Sequence, residues 1–412
     1  MNQRTKNSLT ANRQAMFIDN EIISSEIKKL LPDYIDFLSQ LVRIESVYGK
    51  EREAQLLVKS KMEELGLDVK VYYSRDDNES MNLVSVIEGR KEGRNLVLNA
   101  HCDVAPVDHT ERWVRHPFSG EIADGNLYGR GAQDDKAGIA IILMLVNVLK
   151  DLNIELEGDI IIQSVIEDET TGNGSKVCVE QGYTADGVII VDGTWSERII
   201  YAHLGQVWLD FEITGEPVAA CVESRGVNPI FIATELSHRL KEFINSLNAG
   251  AAPFESLDAP YFINIGSLHS GVWHGSVPSQ AKIEAQIGFP DKMMPDEIIK
   301  KVKEIINGIS DRIKTTENLL KTNAYRTDRH NPLIKKLKSI VERNSKKEVK
   351  TVAVTGHCDM RHFMTPNICL YGPGGGKNAH GIDEYYILDQ LPTVTKNIID
   401  FVLEWCNETN RY

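Results

Sequence analysis

No two cysteines in this sequence stand in a C-x-x-C spacing, and the six that occur (Cys102, Cys178, Cys221, Cys358, Cys369 and Cys406) are scattered. No dense disulfide framework can be read from them, and a reducing cytoplasm is the expected setting. Basic residues are also in short supply. There are 46 Lys and Arg against 59 Asp and Glu, a net charge of -13. Nucleic acid and anionic membrane surfaces both demand basic patches, so neither is an expected partner. Long apolar runs are missing as well. The strongest, residues 139–149, falls far short of the roughly 20 residues that span a bilayer. The opening stretch, MNQRTKNSLTANRQAMF, has no apolar signal core, and secretion by that route is not expected.

What is present is an ordinary globular mixture, 42% hydrophobic and 25% charged, over 412 residues, enough for two or three domains. Residues 22–42 and 52–65 mix apolar and charged positions at helical spacing. Short Val- and Ile-rich runs follow at 82–87, 95–99, 159–166, 187–191 and 367–371. Helical stretches separate them, notably 136–152 and 332–344. Continuous apolar strands alternating with helices predict an α/β domain with a mostly parallel sheet buried on both faces. From about 206 the texture changes. Residues 206–214 alternate, 228–245 and 295–309 are helical, and 261–268 and 279–289 read as strands. This predicts a small α+β domain, 206–316, inserted into a discontinuous larger one, 1–205 with 317–412.

The acidic and imidazole residues gather at the ends of the apolar runs. His101-Cys102-Asp103 follows one, Glu167-Asp168-Glu169 another, and Asp192 a third. His380 comes after 367–371 and a glycine-rich loop, GPGGGKNAHG. A further cluster, GRGAQDDK (129–136), directly precedes the buried helix. Open α/β sheets bind ligands beyond the carboxyl ends of their strands. A mixture of His nitrogen and carboxylate oxygen there suits a divalent metal, zinc in particular. Two ions sharing one carboxylate can activate a water between them. Each piece also has an ordinary explanation: a satisfied polar pair, acids at a helix N-cap, a solvated acidic loop. Their recurrence at matching positions is not independently expected.

The strings HCDVAP (101–106), LYGRGAQDDKAG (127–138), EDETTGNGS (167–175), VDGT (191–194) and AHGIDEY (379–385) together resemble the M20 metallopeptidase and amidohydrolase family. The branch they look most like contains acetylornithine deacetylase and succinyl-diaminopimelate desuccinylase. The resemblance runs from about residue 30 to the end of the chain. It implies a zinc-hydrolase catalytic domain with two Zn²⁺ ions, for which Co²⁺ or Mn²⁺ can substitute. His101 and Asp192 would hold one ion, Glu169 and His380 the other, and Asp134 would bridge them. Asp103 would orient His101. The inserted domain would be the lid and dimer contact of a homodimer. The implied reaction is amide hydrolysis by the metal-bridging water, with a carboxylate moving the proton to the leaving amine.

Three positions depart from the family pattern. The general-base glutamate is replaced by Asp168, one methylene shorter, which could cost several powers of ten in rate. Glu167 would serve only if the loop register differed. The lid histidine that steadies the oxyanion is Ala219, a loss of about 10²–10³ in turnover by comparison with other oxyanion donors. An arginine that often binds a substrate carboxylate is Gly288, leaving Arg361 as a substitute or as a structural partner of Asp359. His274 is a further candidate substrate contact. His109 and His116 are expected to be solvated, and Trp113 to pack its loop. The expectation is thus a deacylase of a small N-acyl amino acid or N-acyl amine, impaired at 168 and 219. That impairment fits an inactivated variant or a natural family member with altered hydrolysis, the first being favoured. A dipeptidase or carboxypeptidase on the same site, or a metal-containing binding protein without hydrolysis, are the alternatives.

Overall fold

The computed structural model describes residues 20–193, 196–374, 376 and 378–409. The chain divides into two compact units. One holds the residues up to Tyr201, Thr327–Thr351 and the residues from His362 on; the other holds Ala202–Arg326 and Val352–Arg361.

In the first unit the strands lie side by side in the order Lys70–Tyr73, Met81–Ile87, Ile160–Val165, Leu96–His101, Gly187–Ile190, Ile368–Leu370 and Arg198–His203. The middle four pair in parallel, and the outer pairs are antiparallel. Every residue of those four strands is buried. Strands covered on both faces have no solvent side to mark with polar residues, hence their unbroken Val, Ile and Leu runs. The helix Lys136–Asp151 packs on the strand Leu96–His101 and on the helices Asn20–Val42 and Gln390–Trp405. It is apolar and buried nearly all round, as a helix enclosed by other elements must be. The Tyr34 hydroxyl donates to the Leu143 carbonyl at 3.0 Å, so even the polar tip of this core tyrosine is satisfied.

Register decides where the chemistry emerges. His101 stands opposite Val165, and Leu370 opposite Ile190, so four adjacent parallel strands end along one edge of the sheet. A second, small antiparallel sheet joins Glu121–Ala123, Asn126–Tyr128 and Tyr385–Ile387. It pins the chain after His380 to the chain before Gly129.

The second unit is built on the other sheet rule. Its strands run antiparallel in the order Phe262–Ser270, Gln280–Phe289, Gly205–Thr214 and Ile313–Thr322. Val207, Leu209, Phe211 and Ile213 join a core with Leu236, Leu240, Ile298 and Val302 of the helices Pro229–Ala249 and Pro295–Asn307. The intervening Trp208, Asp210 and Glu212 are more exposed. The first of these helices starts where Pro229 fixes φ and the Asn228 side chain accepts from the Ile230 amide at 3.0 Å. The expected insert, 206–316, differs from this unit at both edges, and residues 352–361 rejoin it. The strand Ile313–Thr322 is mostly exposed and carries no alternation that would have marked the later boundary.

Candidate metal centre

Three strand ends, one helix start and the loop that carries His380 supply the cluster. His101 is the last residue of the strand Leu96–His101, and Asp192 lies two residues past Gly187–Ile190. Glu167, Asp168 and Glu169 follow Ile160–Val165 after Ile166. Asp134 precedes the helix Lys136–Asp151, whose first residue is fully buried and donates through Nζ to the Leu41 and Ile44 carbonyls at 3.0 and 2.7 Å. Two glycines permit the approach of backbone to the site. A Cβ on Gly372 would lie 2.3 Å from the Asp192 nitrogen, and one on Gly138 would lie 1.9 Å from the Val191 oxygen.

Asp134 stands between two imidazoles. Its Oδ1 is 3.0 Å from His101 Nε2, and its Oδ2 is 3.2 Å from His380 Nε2. Asp192 Oδ1 is 3.8 Å from the same His101 nitrogen, and Glu169 Oε1 is 2.8 Å from the same His380 nitrogen. His101, Asp134 and Asp192 therefore offer ligand atoms within 4.8 Å of one another, and so do Asp134, Glu169 and His380. The five residues singled out in the sequence fall into two triads with Asp134 common to both.

Asp103 is built into the same structure twice. Its carbonyl lies 3.0 Å from His101 Nδ1 and a carboxylate oxygen 3.4 Å from it, which leaves Nε2 turned to Asp134. Its carboxylate also accepts the backbone N–H of Asp168 at 3.3 Å and of Glu169 at 3.2 Å. Glu167 has no freedom to replace Asp168. Its fully buried carboxylate pairs with Arg75 Nη1 at 2.6 Å and accepts from Ser74 Oγ at 2.6 Å.

The electrostatics are those of an anionic cage. Burial pushes the Asp192 carboxyl up to about 7, and Asp134 adds to the effect. Burial likewise holds Asp135 well above the usual carboxylate range. Asp134 goes the other way. Burial opposes its charge, but the contacts with His101 and His380 hold it low. The Glu169 carboxylate beside His380 is the main cause lifting that imidazole to about 11. Burial disfavours charge on His101, yet Asp103 and Asp134 outweigh it and raise its pKa well above normal. Protons here compensate crowded carboxylates. A divalent cation would compensate them better, and an N/O donor set of this composition fits zinc.

Glu384 and Arg130 were not singled out in the sequence. Glu384 is fully buried, pairs with Arg130 Nη1 at 2.5 Å and accepts the Gly131 and Gln133 amides at 3.0 and 3.3 Å. It thereby braces the loop carrying Asp134 from the segment carrying His380. Glu384 belongs to the quoted string AHGIDEY, but nothing in its spacing separates a brace from a solvated acid. Trp113 is buried beneath the Arg130 guanidinium, at 5.5 Å from the ring centroid, and His109 and His116 are exposed, all as expected.

Ala219, His274 and Arg361 belong to the second unit. Ala219 and His274 are exposed. The Arg361 side chain is largely buried, with Nη1 donating to the Cys358 carbonyl at 2.9 Å and Nη2 3.7 Å from Asp359 Oδ1, the structural pairing weighed for it. All six cysteines are free thiols, and among the described residues no helix is long and apolar enough to cross a membrane.

The family model described as peptidase family M20/M25/M40 matches residues 97–404. N-formyl-4-amino-5-aminomethyl-2-methylpyrimidine deformylase of Halalkalibacterium halodurans is 28% identical over 396 residues, covering 86% of this chain and 89% of that protein. The "probable succinyl-diaminopimelate desuccinylase" of Staphylococcus aureus (strain Mu50) is 27% identical over 334 residues, covering 74% and 83%. The solved structure of a di-peptidase from Saccharomyces cerevisiae superposes with a TM-score of 0.81 at 13% identity, covering 95% of this chain and 99% of that one. A tripeptidase from Staphylococcus aureus does so at 0.72 and 21%, covering 92% and 99%.

Proposed function

This chain belongs to peptidase family M20/M25/M40, a family of metal-dependent hydrolases, and from that premise we propose that it is a dinuclear zinc deacylase. Its substrate is a small N-acyl amine or N-acyl amino acid, from which it releases the free amine. The single observation that carries this reading is the double-faced Asp134, one oxygen turned to His101 and the other to His380. In this reading His101 and Asp192 would hold one ion, Glu169 and His380 the second, and Asp134 would serve both. Divalent cations held by these residues would supply Lewis-acid polarisation of the scissile carbonyl and a water acidic enough to attack at neutral pH.

The remaining steps belong to side chains. Asp168 accepts the attacking water's proton and returns it to the departing nitrogen, which needs a reach of about 2.6–3.2 Å at each end. Asp103 fixes that carboxylate's backbone and the His101 ring together. With aspartate at 168 and alanine at 219, turnover is strongly reduced. Substrates lacking a carboxylate at the 288 position are favoured. A Cβ on Gly288 would lie 1.9 Å from the Phe262 ring, so an aromatic ring packs over the backbone where the family's arginine would stand. The deformylase named above, whose substrate is an N-formyl aminomethylpyrimidine, supports an amine of this neutral kind.

The second unit is the lid and the homodimer contact in this proposal. Among the described residues its outer strand Phe262–Ser270 pairs on one side only, with Gln280–Phe289, and an unpaired edge is a template for a second copy. The free thiols accord with a cytoplasmic setting.

The test compares three zinc- or cobalt-loaded proteins: this chain, Asp168→Glu, and Asp168→Glu with Ala219→His. Amine release is followed from N-formyl, N-acetyl and N-succinyl amino compounds and from dipeptides. Turnover of N-acyl compounds that rises along the series is the expected result. Cleavage of dipeptides alone would move the chain to a peptidase, and no cleavage by any of the three would make it a metal-containing binding protein.

A further inference from the structure

We propose that Arg75 is a positioning residue for the loop that carries Asp168 and Glu169, acting through Glu167; the inference rests on the ligand and base assignments above. The loop is not held by regular structure. Glu167 adopts φ +72°, a left-handed conformation that side-chain-bearing residues rarely take. Its carbonyl accepts the Thr170 amide at 3.1 Å and the Gly172 amide at 2.6 Å, closing a turn around the two functional residues. What keeps Glu167 in that conformation is its side chain. The carboxylate is fully buried and held by Arg75 Nη1, Ser74 Oγ and Thr171 Oγ1.

Arg75 reaches this place from the loop after the strand Lys70–Tyr73, and its guanidinium is fixed on every side. Nη2 lies 3.0 Å from Glu51 Oε2, Nε lies 2.9 Å from Asp77 Oδ2, and the plane sits 4.6 Å from the Tyr48 ring centroid. Glu51 is itself fully buried. One planar fork thus joins two buried carboxylates from separate parts of the chain, a task that an ammonium group cannot reproduce. On the other side of the turn, Asp103 grips the Asp168 and Glu169 amides. The loop is therefore clamped between Asp103 and Arg75. Without the guanidinium, Glu167 becomes a buried carboxylate that has lost its counter-ion, and it must move. That movement shifts the residues directly after it.

The experiment titrates cobalt into the metal-free protein, followed by its visible absorption, with thermal unfolding in parallel and hydrolysis measured in the Asp168→Glu background. Arg75→Met is expected to weaken one of two cobalt sites by about 10–100-fold, to lower kcat by a similar factor and to leave KM nearly unchanged. Arg75→Lys is expected to recover part of both losses. If Arg75→Met does not fold, Glu167→Gln carries the same expectation with a smaller shift. Two cobalt sites of unchanged affinity beside a lowered unfolding temperature would overturn the inference and leave Arg75 a purely structural residue. Glu169→Gln separates the two levels. If it removes a cobalt site while Arg75→Met does not, only the positioning role fails. If it leaves both sites intact, the ligand assignment fails, and this inference with it.

Discussion

The two larger sheets of this chain, one in each unit, solve the same burial problem in opposite ways, and the difference determines where each can carry chemistry. The four central strands of the first unit are buried along their whole length. Such a strand has no position for a functional polar residue except at or beyond its carboxyl end. The strand Gly205–Thr214 in the second unit turns alternate residues to a more open face, so a functional side chain can stand anywhere along it. Buried parallel strands concentrate function at abrupt ends. Half-open antiparallel strands disperse it.

The comparison breaks most visibly if the cluster at the strand ends is not one unit. Asp134→Asn, in the Asp168→Glu background, should lower hydrolysis by roughly three powers of ten and weaken both cobalt sites together. A loss confined to one site in the cobalt titration would mean that Asp134 serves a single ion. Lengthening the base should act in the opposite direction: Asp168→Glu is expected to raise kcat by about 10²–10⁴-fold, read by steady-state amine release.

Stability sharpens the contrast along the strands themselves. Leu98→Ala removes side-chain atoms from a fully buried strand and should cost about 2–5 kcal/mol in urea unfolding. Glu212→Ala, on the exposed face of the second unit's sheet, should change stability by no more than about 0.5 kcal/mol. Similar losses at the two positions would erase the distinction.

The smallest effect concerns His203, the last residue of the strand Arg198–His203, whose pKa burial lowers to about 3 while Nδ1 lies 2.9 Å from the Leu204 carbonyl. Below about pH 6.5 the unfolded chain binds a proton that the folded one refuses, so this residue's penalty grows as pH falls from there toward 3. His203→Phe should therefore shrink the stability lost between pH 7 and pH 5 by on the order of 1–2 kcal/mol, measured by urea unfolding at the two values.

The same contrast explains which features of the site are legible in the amino-acid sequence. His101, Asp103, Glu169 and Asp192 each follow a run whose apolar character stops abruptly, and that switch marks a strand end in the sequence alone. The bridging role of Asp134 is what the family resemblance implies, and in the structure its two carboxylate oxygens lie 3.0 Å and 3.2 Å from the His101 and His380 nitrogens. Braces were the illegible part. Arg130 and Glu384 are separated by hundreds of positions, and an ion pair across that interval has no periodicity to betray it. The three-residue strands around 121–128 and 385–387 are too short to show a repeat. The exposed strand Ile313–Thr322 hid the end of the inserted unit because its burial pattern follows no alternation.

Asp103 has a consequence for anyone recombining this protein with a relative. Because one carboxylate accepts the amides of Asp168 and Glu169 while flanking the His101 ring, the segments 101–103 and 167–169 form a single graft although they are far apart in the chain. A chimaera that imports either segment alone inherits a lock without its key. Crossovers that keep the pair together, with the helix and strands between them exchanged or retained at will, are the ones expected to yield folded, metal-loaded offspring.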